Sequence, residues 1–174
     1  MVGVPFEESP NQDERPDPKD LSLIVIHAIS LPPGQFGSLD VSRLFGNVLD
    51  PNAHPYFATI HTLRVSAHLL IRRQGDLIQY VAFDRRAWHA GLSIHEGRER
   101  CNDFSIGIEL EGTEDRAFEE AQYGTLRGVL ACLYESYENL SPERVRGHQH
   151  VAPGRKWDPG PCFDWAKIGV PTPS

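Results

Sequence analysis

The sequence lacks the motifs that identify several common classes of protein. None of GxSxG, the P-loop or GxGxxG occurs, so serine-hydrolase, nucleotide-binding and dinucleotide-binding functions have no support. No apolar run approaches the roughly 18 residues that a transmembrane helix needs. The N-terminus has neither the basic nor the apolar region of a secretory signal. We therefore expect a cytoplasmic protein without a membrane partner.

Cysteine is scarce, and the cysteines present do not form a recognisable pattern. The chain has 3 of them, Cys101, Cys132 and Cys162, which lie far apart without a CxxC pair. An odd number leaves at least one thiol free, and free thiols suit a reduced compartment. Cys101 and Cys162 are formal candidates for a thiol nucleophile, but nothing beside them indicates a lowered thiol pKa.

Positive charge is too sparse and too scattered for nucleic-acid binding. The net charge is -7, and the 17 lysines and arginines form no basic stripe, so we predict no nucleic-acid partner. The 174 residues, 40% of them hydrophobic, suffice for one domain with a real core. A monomer is the default expectation.

Hydrophobic patterning predicts strands mixed with helices. Strands are predicted at residues 21–27 and 105–110, and a hairpin at residues 67–73 and 77–81 around a glycine-containing turn. Helices are predicted at residues 117–137 and 40–45, the second introduced by Ser38, with a further short element at residues 142–144. This order predicts an α/β fold: a single domain with a mixed central β-sheet flanked by α-helices.

The first residues differ in composition from the rest of the chain. Residues 6–19 are rich in Pro, Asp, Glu and Asn, and such a segment buries too little apolar surface to offset its own ordering entropy. We interpret residues 1–20 as an irregular N-terminal arm and residues 21–174 as the catalytic domain.

Two histidines and one aspartate are candidates for metal binding. His27 ends the predicted strand 21–27, where side chains of α/β sheets tend to point into a ligand crevice. A proline-stiffened loop at residues 146–161 contains His148, His150 and Asp158. Catalytic zinc takes three N, O or S ligands and keeps one position for water, a count that His27, His148 and Asp158 satisfy. His150 is an alternative to His148, and a plain surface turn at residues 158–160 is the alternative for the loop.

Amide hydrolysis at such a centre needs a proton carrier and a group that stabilises an oxyanion. Glu109, among apolar neighbours in the strand 105–110, is a candidate for the first task because burial raises a carboxyl pKa. Lys156 is a candidate for the second. The alternatives are an edge-strand carboxylate pointing to solvent with Glu111 on the same face, and a solvated loop lysine.

Four stretches of the sequence resemble one family over nearly the whole chain. They are VIHAISLPPG at residues 25–34, RAWHAG at residues 86–91, GRERCNDFSIGIELEG at residues 97–112, and GH at residues 147–148 followed by DPGP at residues 158–161. Together and in this order they resemble the bacterial AmpD-type 1,6-anhydro-N-acetylmuramyl-L-alanine amidases. The resemblance implies the fold of the amidase-2 and peptidoglycan-recognition-protein group.

The resemblance also implies roles for particular residues. The zinc ligands of the family fall on His27, His148 and Asp158, its catalytic glutamate on Glu109 and its catalytic lysine on Lys156. Contacts to the muropeptide substrate are expected from Arg64, Arg100, Trp88 and His89, since guanidinium groups suit the carboxylates of a stem peptide. A buried Trp beside a hydrogen-bonded His is the structural alternative for the last two. The implied activity is zinc-dependent hydrolysis of the lactyl-L-alanine amide bond during peptidoglycan recycling.

The sequence departs from the family pattern at three positions. Ala28 stands where an Asn usually follows the first zinc histidine, which removes a side-chain amide associated with holding the substrate. His150 stands where an Asp is common, and Trp157 where a small polar residue is common. Two other functions share the fold: a peptidoglycan-binding module without catalysis, which would lack a metal ligand, and a periplasmic amidase, which would need a signal sequence.

Overall fold

The most apolar segments of the chain form the middle of a five-stranded sheet in the computed structural model, which describes residues 3–173. The strands are β1 Gln12–Glu14, β2 Leu23–Ile29, β3 Leu69–Ile71, β4 Leu77–Gln79, β5 Arg85–Ala87, β6 Ile94–His95, β7 Arg98–Glu99, β8 Ser105–Glu111 and β9 Val145–Gly147. The α-helices are α1 Asp40–Phe45, α2 Pro55–Ile60, α3 Glu120–Ser136 and α4 His148–Val151. Short 3-10 helices cover Cys101–Asp103, Pro142–Arg144 and Trp165–Ile168.

The main sheet mixes parallel and antiparallel pairing. Its order is β4-β3-β8-β2-β9, with β3 and β4 antiparallel and the other neighbours parallel. Helices cover both faces, so the predicted α/β fold with a mixed central sheet is confirmed. The predicted hairpin is the β3–β4 pair, and the predicted strand 21–27 is β2, which continues two residues beyond His27 to Ile29.

The two faces of the sheet bury different elements. Even-numbered residues of β2 and β8, such as Ile26 and Ile108, join Leu126 and Leu130 of α3 in one apolar cluster. Odd-numbered residues point the other way, because side chains alternate along a strand. On that side a second cluster contains residues of α1 and α2, including Phe45. His27 and Glu109 are odd-numbered and therefore face away from α3.

The predicted helices occur, with shifted ends. α1 spans the predicted residues, and the Ser38 hydroxyl accepts a hydrogen bond from the Asp40 backbone N–H. α3 begins at Glu120 rather than at residue 117, because the Gln122 side chain accepts from the Glu119 backbone N–H and Phe118 packs into the core. The predicted short element at residues 142–144 is a 3-10 helix. The sequence did not predict α2, which begins at Pro55 with the His54 side chain accepting from Tyr56 N–H.

The N-terminal arm is ordered where we predicted irregular chain. β1 pairs antiparallel with β5, so that prediction is wrong for Gln12–Glu14. The buried arm residues Ser9, Asn11 and Arg15 hydrogen-bond to backbone carbonyls of the domain. Backbone partners, rather than apolar burial, offset the ordering cost that composition indicated. Residues 1, 2 and 174 of the predicted segments lie outside the described residues, and the boundary at residues 20 and 21 stays a prediction.

No helix within residues 3–173 is both long and apolar enough to span a membrane.

Candidate metal centre and active site

Three adjacent parallel strands bring the predicted site residues to one edge of the sheet. His27 of β2 lies directly opposite Glu109 of β8. Ile26 lies opposite Gly147, the last residue of β9, so His148 follows at the same level of the sheet. Since carboxyl ends of parallel strands meet at one edge, local strand order alone places two histidines and a glutamate beside one another.

The three predicted ligands converge on one point. His27 Nδ1 and His148 Nδ1 lie 3.0 Å apart, and each lies 3.1 Å from Asp158 Oδ2. All three residues are buried, and their ligand atoms lie within 4.8 Å of one another. Two imidazole nitrogens and one carboxylate oxygen form a donor set that zinc accepts, so these residues fit the metal that the sequence predicts.

The alternative ligand His150 takes a structural role. Its Nδ1 accepts a hydrogen bond of 2.9 Å from the Gly147 backbone N–H, and its ring packs against Trp165. It is absent from the converging group within the described residues. The structure therefore favours His148 over His150 as the second imidazole.

The loop that carries Asp158 is fastened to the start of α4. The Gln149 backbone N–H donates to the Asp158 carbonyl over 2.8 Å, and the Gln149 side-chain oxygen accepts from Gly160 N–H. Pro159 lies so close to Gly147 that a Cβ at residue 147 would come within 2.7 Å of the proline ring. Glycine at this position thus permits the contact that holds Asp158 next to His148.

Electrostatics at the centre favour an anionic Asp158 and a neutral His27 imidazole. Burial by itself would raise the pKa of Asp158, but hydrogen bonds with His148 and His27 outweigh it and hold that pKa well below its usual value. Burial, with the nearby His148, lowers the pKa of His27 to about 4. A neutral imidazole and a carboxylate are the protonation states in which these groups bind metals.

Glu109 is half-buried, and one of its carboxylate oxygens is fully buried without a protein partner. Its Oε2 is buried and makes no hydrogen bond to any described residue, while the residue lines the cleft beside the three ligands. Burial, and then the negative charge of Asp158, raise the pKa of Glu109 well above its usual value. An unsatisfied buried polar atom costs about 1–3 kcal/mol, so a catalytic use is the natural explanation for its presence.

The structural alternative for Glu109 does not hold. β8 lies between β3 and β2 and is not an edge strand. Glu111 is buried, and its two carboxylate oxygens accept from the backbone N–H groups of Gly37 and Arg73. The two glutamates share a strand face, but only Glu111 has structural hydrogen bonds.

Lys156 lies on the exposed rim of the same cleft. It belongs to the loop between α4 and Asp158, and its backbone N–H donates to the Ala152 carbonyl. Its positive charge opposes the rise in the pKa of Glu109, which places the ammonium group within electrostatic reach of the carboxylate. Trp157, 44% exposed, lines the cleft next to it.

The site cleft has a volume of about 410 Å³ and extends from the three ligands towards α1 and α2. Trp88 and His89 line it, and their contact with a substrate stays a prediction. Arg64 and Arg100 do not: Arg64 donates to the carbonyls of its neighbours, and Arg100 borders a separate depression. Their contacts with a substrate stay a prediction. Sequence patterns missed three cleft residues of α2 and the segment after it, namely Tyr56, Ile60 and Leu63.

The thiol alternative finds no support. Cys101 is buried, and burial raises the pKa of its thiol, which opposes formation of a thiolate. Neither Cys101 nor Cys162 lines the site cleft.

A mixed α/β sheet that holds two imidazoles and a carboxylate beside a glutamate with an unpartnered buried oxygen defines a candidate metal-dependent hydrolase. Comparison with known proteins makes this more specific. The chain belongs to the N-acetylmuramoyl-L-alanine amidase family, Amidase_2, whose model matches residues 17–161. The predicted family resemblance and the predicted amidase class are thereby confirmed.

Individual relatives agree with this assignment. The chain is 54% identical over 170 residues to the 1,6-anhydro-N-acetylmuramyl-L-alanine amidase AmpD of Escherichia coli strain K12, covering 98% of this chain and 92% of that one. The crystal structure of a selenomethionine AmpD derivative superposes with a TM-score of 0.94 at 54% identity, covering 97% and 94% of the two chains. AmiD from E. coli, in complex with the substrate anhydro-N-acetylmuramic acid-L-Ala-D-γ-Glu-L-Lys, gives a TM-score of 0.65 at 30% identity, covering 87% and 58%.

Proposed function

We propose that this protein hydrolyses the amide bond between the lactyl group of a 1,6-anhydro-N-acetylmuramyl peptide and its first L-alanine, with bound zinc, in peptidoglycan recycling. The convergence of His27, His148 and Asp158 beside Glu109 carries the proposal. The identity of the cleaved bond is inferred from the names of the relatives. The AmiD complex shows that a related protein binds an anhydro-muropeptide. Because such soluble muropeptides are recycled inside the cell, we propose a cytoplasmic location. A monomer stays the default expectation.

The ligand residues would hold zinc through His27 Nδ1, His148 Nδ1 and the carboxylate of Asp158. When bound, zinc polarises the amide carbonyl and lowers the pKa of a water ligand to about 7. Asp158 balances part of the positive charge.

Glu109 would move the proton. Its raised pKa suits a carboxylate that accepts a proton from the attacking water and then donates it to the leaving alanine nitrogen. The free Oε2 has no structural hydrogen bond to give up when it takes the proton. Lys156, on the rim of the cleft, would stabilise the negative charge that develops on the carbonyl oxygen.

The open cleft would receive the substrate. Trp88 presents an aromatic wall, and Arg64 and Arg100 are proposed to approach the stem-peptide carboxylates from positions outside the present lining. Trp157 and Ala28, the two departures from the family pattern that line the cleft, are where binding would differ from that of relatives.

The test is release of peptide from a purified anhydro-muropeptide, followed by mass spectrometry, together with metal analysis of the protein. We expect stoichiometric zinc, release of the intact stem peptide, loss of release with a chelator and recovery with added zinc. A muropeptide with a reducing muramic acid, assayed in parallel, reports whether the anhydro ring is required. Binding of the muropeptide without cleavage by the zinc-loaded protein would instead show a binding module and contradict the proposal.

A further inference from the structure

The two ligand histidines are oriented in the same way, but their outer ring nitrogens have different hydrogen-bond partners. Both direct Nδ1 to the ligand centre, which leaves Nε2 on the outer side. Nε2 of His148 lies 3.1 Å from the Ala90 carbonyl, which can only accept, so this nitrogen carries the hydrogen. Nε2 of His27 lies 2.9 Å from Nδ1 of His89, a second imidazole whose own tautomer decides which nitrogen donates.

A serine settles the tautomer of His89. Nε2 of His89 lies 3.2 Å from the Ser105 hydroxyl, and that hydroxyl donates to the Cys101 carbonyl over 2.5 Å. Because the serine proton is committed to a carbonyl, Ser105 Oγ must accept from Nε2–H of His89. Nδ1 of His89 is then an acceptor, and it takes the hydrogen of His27 Nε2. The lone pair of His27 Nδ1 is left for a metal.

The ring of His89 is fixed by more than this chain of hydrogen bonds. Its backbone N–H and that of Ala90 both donate to the Asn102 side-chain oxygen, at 3.2 and 2.8 Å. The ring also covers Gly107 of β8 so closely that a Cβ there would lie 2.4 Å from its Cγ. The ring therefore occupies space that only a glycine in the neighbouring strand leaves open.

We infer that His89 is a positioning residue for His27, holding the tautomer and ring orientation in which His27 binds zinc, rather than a residue whose main role is to contact substrate. Outer partners of this kind orient metal-binding histidines, and their loss typically weakens metal affinity by about 10- to 100-fold. The inference rests on the proposed zinc site and adds a role for the RAWHAG motif.

The test compares zinc affinities, measured by competition with a chromogenic chelator, with KM for an anhydro-muropeptide. His89→Leu removes the acceptor, and we expect about 10- to 100-fold weaker zinc binding. His89→Asn can place an amide oxygen near the position of Nδ1 and should recover part of the affinity. His95→Leu, the same change at a histidine of β6 outside the site cleft, should bind zinc as the wild type does.

Stability and metal content separate the alternatives. Thermal melting of the metal-free proteins shows whether a variant folds; if His89→Leu does not, Ser105→Ala, which frees the tautomer of His89, should still weaken zinc binding. Unchanged zinc affinity in folded His89→Leu, or in Ser105→Ala, with only KM raised would overturn the inference and support the substrate contact. A wild-type protein that binds no zinc would overturn the proposed function as well, so the two failures are distinguishable.

Discussion

The two faces of strands β2 and β8 follow one backbone but carry opposite kinds of side chain. The face towards α3 is wholly apolar near the site, with Ile26 and Ile108 at 0% exposure. The opposite face places His27 and Glu109 one residue further along the same strands, where burial disfavours their charged forms. Because side chains alternate along a strand, residues that stabilise the fold and residues proposed for catalysis are only about 3.3 Å apart along the backbone. Substitutions on one face should affect folding, and those on the other should affect turnover.

The largest effect is expected at Glu109. Glu109→Gln removes the proton carrier without changing shape, and turnover should fall by about 10²- to 10⁴-fold while zinc content is kept. The free energy of unfolding of the metal-free protein should stay equal or rise, because a carboxylate with a buried, unpartnered oxygen is replaced by a neutral amide. Steady-state kinetics, zinc analysis and urea unfolding measure the three quantities.

Glu111→Gln is the matched control on the same strand face. Its carboxylate accepts two backbone hydrogen bonds, so the amide should lower stability while turnover of the folded protein is kept. Near-normal turnover in Glu109→Gln would remove Glu109 from the mechanism and erase the contrast between the two glutamates.

Ile108 provides the converse experiment on the apolar face. Ile108→Ala deletes fully buried methyl groups between the sheet and α3 and should cost about 2–5 kcal/mol in the free energy of unfolding. Ile108→Val should cost about 0.5–1.5 kcal/mol. Zinc affinity and kcat of the folded protein should change little in both. A loss of kcat as large as that in Glu109→Gln would show that the two faces are not separable.

The sequence predicted the apolar face better than the polar one. β8 followed from hydrophobic pattern alone, since burial against α3 requires that pattern, and α1 followed from the helix-start signal at Ser38. The arm strand β1 was missed because it has no apolar residues, and Asn11 and Arg15 on either side of it are buried through hydrogen bonds to backbone carbonyls, which leave no periodic signal. α2 is short and amphipathic over too few residues to stand out from a loop.

The sequence predicted the identity of the site residues but not the orientation of their side chains. Residue type and position proposed His27, His148 and Asp158, and the family resemblance chose among the histidines, but neither showed which ring nitrogen faces inwards. The link from His27 through His89 to Ser105 depends on ring orientation and on a hydroxyl whose proton is already committed. This series of hydrogen bonds can be recognised only from the structure, because nothing in the spacing of residues 27, 89 and 105 indicates it.

Acid should lower the stability of the folded protein through the histidines on the polar face. His68 is the one of these, outside the metal ligands, at which we propose to measure the effect. Burial, and then the neighbouring Arg15, lower the pKa of His68 to about 3, against about 6.5 in the unfolded chain. Between these values the unfolded state binds a proton that the folded state does not, so stability is intact above about pH 6.5 and falls as the pH is lowered. The slope for one such group is at most about 1.4 kcal/mol per pH unit.

Urea unfolding of the metal-free protein and of His68→Gln at several values between pH 6.5 and 4.5 measures this slope. The variant should be less stable at pH 6.5, because the ring accepts from Gly107 N–H, but its stability should depend less on pH. Equal slopes in the two proteins would mean that His68 is not held neutral by the fold.

The smallest effect is expected at Ala28, which belongs to both faces. Its side chain packs against the α3-side cluster, yet the residue lines the site cleft next to His27. Ala28→Asn restores the amide that the family usually carries, and one added hydrogen bond of about 1 kcal/mol should lower KM for an anhydro-muropeptide about fivefold with kcat unchanged. Ala28→Leu, similar in shape but without the amide, should not lower KM. Equal KM values in the two variants would show that residue 28 acts through packing on the apolar face and not through contact with the substrate.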